Sequence, residues 1–199
     1  MTLEKRALTA APEIRVADGT KTARGYAALF NSRMQFGDWF AEEVSPGAFT
    51  ETLKTADVRA LVDHNSGRVI GRSTAGTLRL NEDAKGLFVE IDLPDTTDGR
   101  DLATLLERGD ISGMSFGFQV TKETWDETGD MPLRTIQAVD LFEVSAVAFP
   151  AYEDTEIALR SLETVKDEAR KAEAERNRKA AEARITERKA ASEQKFRRI

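Results

Sequence analysis

The 199-residue chain has no cysteine and a single histidine, His64. The first absence removes disulfides, thiolate nucleophiles and cysteine-ligated zinc or iron–sulfur centres. The second removes any multi-histidine metal site, so neither a metal nor a cofactor is expected. Chemistry that needs an imidazole must use His64. No apolar run is long enough to span a bilayer, and Met1–Ala10 lacks the apolar stretch of a secretory signal. No membrane role is therefore expected.

Positive charge is also missing where a nucleic-acid binder would need it. Residues 1–160 hold 17 Lys and Arg against 27 Asp and Glu, whereas residues 161–199 hold 12 against 8. An acidic body with a mildly basic tail does not present the concentrated positive face that phosphate contacts require. Nucleic acid is not an expected partner, and the asymmetry points to two physically different parts.

The division falls near residue 160. Residues 161–199 contain no glycine and no proline and are dominated by Ala, Glu, Lys and Arg. Asp167 and Lys171, Glu175 and Lys179, and Glu193 and Arg197 stand four apart with the acid first, the favoured helical order. The scattered apolar residues Leu162, Val165, Ile185 and Phe196 keep no heptad, so the tail reads as a charged, solvated helix rather than a coiled coil. Residues 1–19 are polar and read as a flexible N-terminal segment. The folded body is expected over 20–160.

Within the body, turn residues break up runs of β-branched and aromatic residues. Leu87, Val89, Ile91 and Leu93 alternate with Phe88, Glu90 and Asp92, the period of a strand with one buried face. Thr77–Leu80 precedes it across the turn-rich Asn81–Gly86, predicting a hairpin. Gly25–Phe30, Val58–Val62, Gly113–Thr121 and Thr135–Phe149 also read as strands. One short helix is expected from Ser45-Pro46, with Phe49 and Leu53 on one face. Another is expected from about Asp98 to a stop at Gly109, carrying Leu102, Leu105 and Leu106. Many strands with few helices predict a mainly β body with flanking helices: an antiparallel sheet closed, or nearly closed, into a barrel.

Three segments can carry chemistry. In Leu61-Val62-Asp63-His64-Asn65 an apolar strand ends in polar residues, which suits either a rigidly held base or an ordinary surface histidine. In Ile111–Val120, Met114, Phe116, Phe118 and Val120 share a strand face with Ser112, and Ser115 lies opposite, between Gly113 and Gly117. The two glycines make room either for a substrate backbone or for close packing against another backbone. In Asp140–Pro150, Glu143 interrupts an apolar strand, as the partner of a histidine or as an outward-facing acid. Ser145 has the same parity. A serine hydroxyl needs a base within hydrogen-bond reach, and the base needs an orienting group.

The sequence resembles the HK97-type phage prohead proteases, which are related to the herpesvirus assembly proteases. The matching segments are Gly25–Phe30, Glu43-Val44-Ser45-Pro46-Gly47-Ala48-Phe49, Leu61–Asn65 with Gly71, Ile111–Phe118, and Leu141–Ser145 with Pro150-Ala151. They occur in the family's order, and the resemblance covers about residues 22–158. The resemblance implies a barrel of the herpesvirus-protease type and a serine endopeptidase that cuts capsid precursor, scaffold protein and itself. Its place is the host cytoplasm, inside the assembling prohead, and self-association is left open. By position Ser115 is the nucleophile and His64 the base, expected to touch in an open cleft, with Glu143 as third member. Asp140 and Asp63 are its rivals, because no second histidine exists to fill the herpesvirus role. Backbone amides near Ser115, or an arginine such as Arg134, would serve the oxyanion. The competing reading is a non-enzymatic scaffolding or capsid-assembly protein built on the same body and tail.

Overall fold

The computed structural model describes residues 3–8, 12–17 and 20–149, and in the tail 163–164, 166–168, 170–180 and 182. The chain divides into two compact units, Met1–Ile157 and Ala158–Ile199. The described tail residues are helical. Glu175 there pairs with Arg178 and Lys179, three and four residues on, as the spacing of the charges favours. The expected boundary near residue 160 and the Pro150-Ala151 motif lie outside the described residues.

The described residues of the first unit form eleven strands and two helices. In chain order these are β1 (Glu4–Leu8), β2 (Glu13–Ala17), β3 (Thr20–Leu29), β4 (Met34–Phe36), β5 (Phe40–Val44), α1 (Thr52–Thr55), β6 (Arg59–Val62), β7 (Asn65–Arg72), β8 (Leu78–Glu82), β9 (Gly86–Asp92), α2 (Thr97–Arg108), β10 (Gly113–Asp126) and β11 (Leu133–Val147). The alternation read at Leu87–Leu93 is β9, and its hairpin partner is β8. Helix α2 is capped by Thr96, whose side chain accepts from the Gly99 N–H, and it ends at Gly109 in the left-handed conformation.

The strands make two sheets. One has four strands in the order β2-β3-β9-β8, and the other has seven. The larger sheet is built on the long antiparallel hairpin β10–β11, with β1 on the outer edge of β10. The outer edge of β11 is shared by two short parallel strands, β5 against Leu133–Ile136 and β6 against Glu143–Ala146. Between them the chain swings away through residues 46–58, yet the backbone edge stays paired. The Val139 N–H donates to the Ala48 carbonyl at 3.1 Å and the Leu141 N–H to Thr52 Oγ1 at 3.0 Å. Leaving either donor buried and unmet would cost about 1–3 kcal/mol.

The apolar core lies between the sheets. Ala23, Leu87, Val89 and Ile91 come from the smaller sheet, Met114, Phe116, Phe118, Val144 and Ala146 from the larger, and Leu102 and Leu106 from α2. Phe49 joins them: it stacks on Phe30 with ring centres 6.2 Å apart and meets Phe116 edge-on at 5.5 Å. Its full burial contributes about 1.5–3 kcal/mol.

Three expectations are corrected. No closed barrel forms among the described residues; two sheets do, and the pairing is partly parallel. Alternation identifies strands but does not say which edges meet. The helix expected from Ser45-Pro46 is a series of turns, with Gly47 at φ +91°, followed by the one-turn α1. The loose N-terminal segment supplies β1 and β2. Residues 34–44, which carry no clear local pattern, supply β4 and β5.

Strand β1 is held by a buried ionic cluster that its polar composition concealed. Arg6 donates to both oxygens of Glu42 at 2.6 and 2.9 Å and to Glu4 at 2.7 Å. Arg134 donates to Glu4 and Glu42 at 2.8 Å and to Glu123 at 2.7 Å. The Arg6 guanidinium also lies over the rings of Phe36 and Phe118. Burial opposes the charge on Glu4, but the hydrogen bonds and charges of Arg134 and Arg6 outweigh it and hold the carboxyl below its ordinary value.

Candidate active site

The face of β10–β11 turned away from the core carries polar side chains. Ser115 stands opposite Ser145 across the hairpin, and Gly117 stands opposite Glu143. Directly opposed residues put their side chains on the same side of a sheet. These four positions therefore form one patch, and alternation gives the other face to Met114, Phe116, Val144 and Ala146.

His64 reaches the patch from the hairpin between β6 and β7. Val62 and Asn65 pair, leaving Asp63 and His64 as a two-residue loop. Both have positive φ, +48° and +55°, as a type I′ turn requires. Asp and His tolerate this region better than most side chains but are still strained there. Contacts with β11 hold the loop. The Asp63 N–H donates to the Ala146 carbonyl at 3.0 Å, the Ala148 N–H donates to Asp63 Oδ1 at 3.1 Å, and the His64 N–H donates to Ser145 Oγ at 3.2 Å.

The imidazole then meets Glu143. His64 Nδ1 and Glu143 Oε1 are 2.7 Å apart, with the two side chains 15% and 10% exposed. A carboxylate oxygen accepts, so the ring donates from Nδ1, and the neutral ring then carries its lone pair on Nε2. The second carboxylate oxygen, Oε2, accepts from the Ser145 hydroxyl at 2.5 Å. The carboxylate lies over Gly117, where a side chain would collide with it. That glycine clears space for Glu143 rather than for an approaching backbone.

Ser115 is on this face but is not joined to His64. It is 1% exposed, and its Oγ donates to the Arg6 carbonyl of β1 at 2.9 Å. The expectation of a touching pair in an open cleft is thus not met in this conformation. The competing acceptor belongs to β1, in the N-terminal segment expected to be loose. Ser115 and His64 share a neighbour instead: Ser145 is the cross-strand partner of one and accepts the backbone N–H of the other.

The other candidates lie apart. Asp140 is exposed and pairs with Gln119, three residues from Glu143 along β11. Asp63 faces the Ala148 amide and not the imidazole. Arg134, considered for an oxyanion, is buried in the ionic cluster. Ser112 precedes β10. Among the described residues no group of three His, Asp or Glu is placed to hold a metal ion. The sequence reading gave no role to Arg6. The parity of Ser145 with Glu143 was the one available signal that it belongs to the patch.

An imidazole–carboxylate pair and a serine on one sheet face are side-chain types that serine hydrolases employ. Comparisons with known proteins bear on the family. The family model described as caudovirus prohead serine protease matches residues 8–168. The prohead protease of Enterobacteria phage HK97 is 34% identical over 153 residues, covering 72% of this chain; the chain spans 63% of that relative's length. The structure of the bacteriophage T4 capsid assembly protease, gp21, superposes with a TM-score of 0.52 at 11% identity, covering 74% of this chain and 98% of gp21. That likeness is one of fold. The chain belongs to the caudovirus prohead serine protease family.

Proposed function

We propose that this chain is a serine endopeptidase that processes capsid-protein precursor and scaffold protein, and itself, during prohead maturation. Its place of action is inside the assembling prohead in the host cytoplasm. The observation that carries the reading is the 2.7 Å contact of His64 Nδ1 with Glu143, on the same sheet face as Ser115. The names of the relatives, a prohead protease and a capsid assembly protease, support the substrate class.

In the proposed mechanism the Ser115 hydroxyl leaves the Arg6 carbonyl and turns to His64 Nε2. The hydrogen bond given up has a net worth of about 0.5–1.5 kcal/mol. His64 takes the hydroxyl proton as Ser115 Oγ attacks the scissile carbonyl. Glu143 holds the ring through Nδ1–H and stabilises the imidazolium that forms. His64 then gives the proton to the departing amine, and water, activated in the same way, hydrolyses the acyl-enzyme.

The test is co-expression of the full chain with its capsid-protein precursor, followed by mass spectrometry of the products. Defined cleavage with the wild type and none with Ser115→Ala supports the proposal. Full activity of Ser115→Ala overturns the nucleophile. No cleavage with the wild type under assembly conditions favours the scaffolding reading instead.

A further inference from the structure

We infer that Ser145 is a positioning residue of this peptidase, acting on the reaction only through Glu143 and His64. The inference rests on the function proposed above, since it assigns a role within the same site. Ser145 is a serine 0% exposed beside the imidazole–carboxylate pair. Such a hydroxyl could serve as a second nucleophile, as a simple strand residue, or as a fixture for its neighbours.

The hydrogen bonds distinguish these roles. The Ser145 proton is committed to Glu143 Oε2 at 2.5 Å, and its lone pair receives the His64 backbone N–H at 3.2 Å. Neither bond involves the basic side of the imidazole ring, so the oxygen is not arranged for attack. One hydroxyl instead joins the two residues that must stay aligned. It holds the carboxylate with Oε2 turned inward, which leaves Oε1 for Nδ1 at 2.7 Å. It also ties down the backbone of a turn residue at φ +55°. A Glu side chain has three torsions and would lose this orientation if held by His64 alone. Ordinary sheet pairing explains neither bond, because both are made by the side chain.

Without the hydroxyl, Glu143 and the His64 turn both gain freedom. The ring then loses its fixed tautomer, with Nδ1 protonated and Nε2 bare. A catalytic group misplaced by an ångström can cost about 100-fold in rate, so the loss should fall on kcat and leave substrate binding unchanged.

The experiment uses full-length wild type and Ser145→Ala. Nitrogen–proton correlation spectra report the imidazole tautomer, and with one histidine in the chain its signals need no assignment. The wild type is expected to show one tautomer, protonated at Nδ1, and Ser145→Ala to shift toward the Nε2-protonated form favoured by free imidazole. In cleavage of the capsid-protein precursor, kcat is expected to fall about 100-fold with KM within about twofold, short of the complete loss at Ser115→Ala. A Ser145→Ala protein that keeps both its tautomer and its kcat overturns the inference. So does one that fails to fold or loses only KM, because the role is then structural or one of binding. If the wild type cleaves nothing, the proposed function fails, while the tautomer comparison still decides whether Ser145 orients the pair.

Discussion

Gly117 and Glu143 face each other across the β10–β11 hairpin, and the Glu143 carboxylate occupies the space that a side chain at position 117 would take. The missing side chain is therefore part of the site. Gly117→Ala should push the carboxylate away from His64 Nδ1 and slow precursor cleavage by about 100-fold, the scale of a misplaced catalytic group. Thermal unfolding separates this from lost stability: a folded, slow enzyme is the expected result, and a variant with the wild-type rate would show that the overlap is relieved without moving Glu143.

The carboxylate behind the histidine is Glu143 in geometry, and Asp140 is exposed elsewhere on the strand. Glu143→Gln keeps the shape but removes the charge that supports the imidazolium in the proposed mechanism. Cleavage should fall by about 10⁴-fold, as when an orienting carboxylate becomes an amide. Asp140→Asn should leave the rate within about twofold. Measured side by side on the capsid-protein precursor, the reverse pattern would transfer the role to Asp140.

Arg134 pairs with three carboxylates, those of Glu4, Glu42 and Glu123. Arg134→Met leaves Glu4 and Glu42 to Arg6 alone and takes the guanidinium away from Glu123. Breaking a buried pair from one side costs about 3–5 kcal/mol, so the urea midpoint should drop sharply. Wild-type stability in this variant would mean that the cluster is solvated in practice.

The same cluster sets an acid limit. Glu4 has its carboxyl value depressed in the fold, where the guanidiniums of Arg134 and Arg6 overcome the opposing effect of burial. Its stabilising contribution is complete above the unfolded value, near 4.5, and is lost as pH falls through the lower folded one. The urea midpoint of the wild type should therefore decline as pH drops below about 4.5, and less steeply in Glu4→Gln, which has no proton to take up. Equal slopes would exclude Glu4 from the acid response.

The strands at Leu87–Leu93 and Gly113–Thr121 and the helix ending at Gly109 were legible because their signals are local. A two-residue alternation, a left-handed glycine cap and leucines at helical spacing depend on neighbours a few positions away. The candidate residues Ser115, His64 and Glu143 were also visible in their motifs, through the resemblance those motifs carry. What the local pattern lacked was pairing. Nothing in the polar stretch Glu4–Leu8 says that its carbonyls will face Ser115, since the partners that bury Arg6 are Glu42, 36 residues on, and Glu4, itself held by Arg134. Residue types and local geometry followed from the order of amino acids alone. Only the packed sheets decided that Glu143 and not Asp140 lies behind His64, and that the Ser115 hydroxyl donates to a β1 carbonyl, because those contacts depend on strand register and edge partners that local periodicity does not encode.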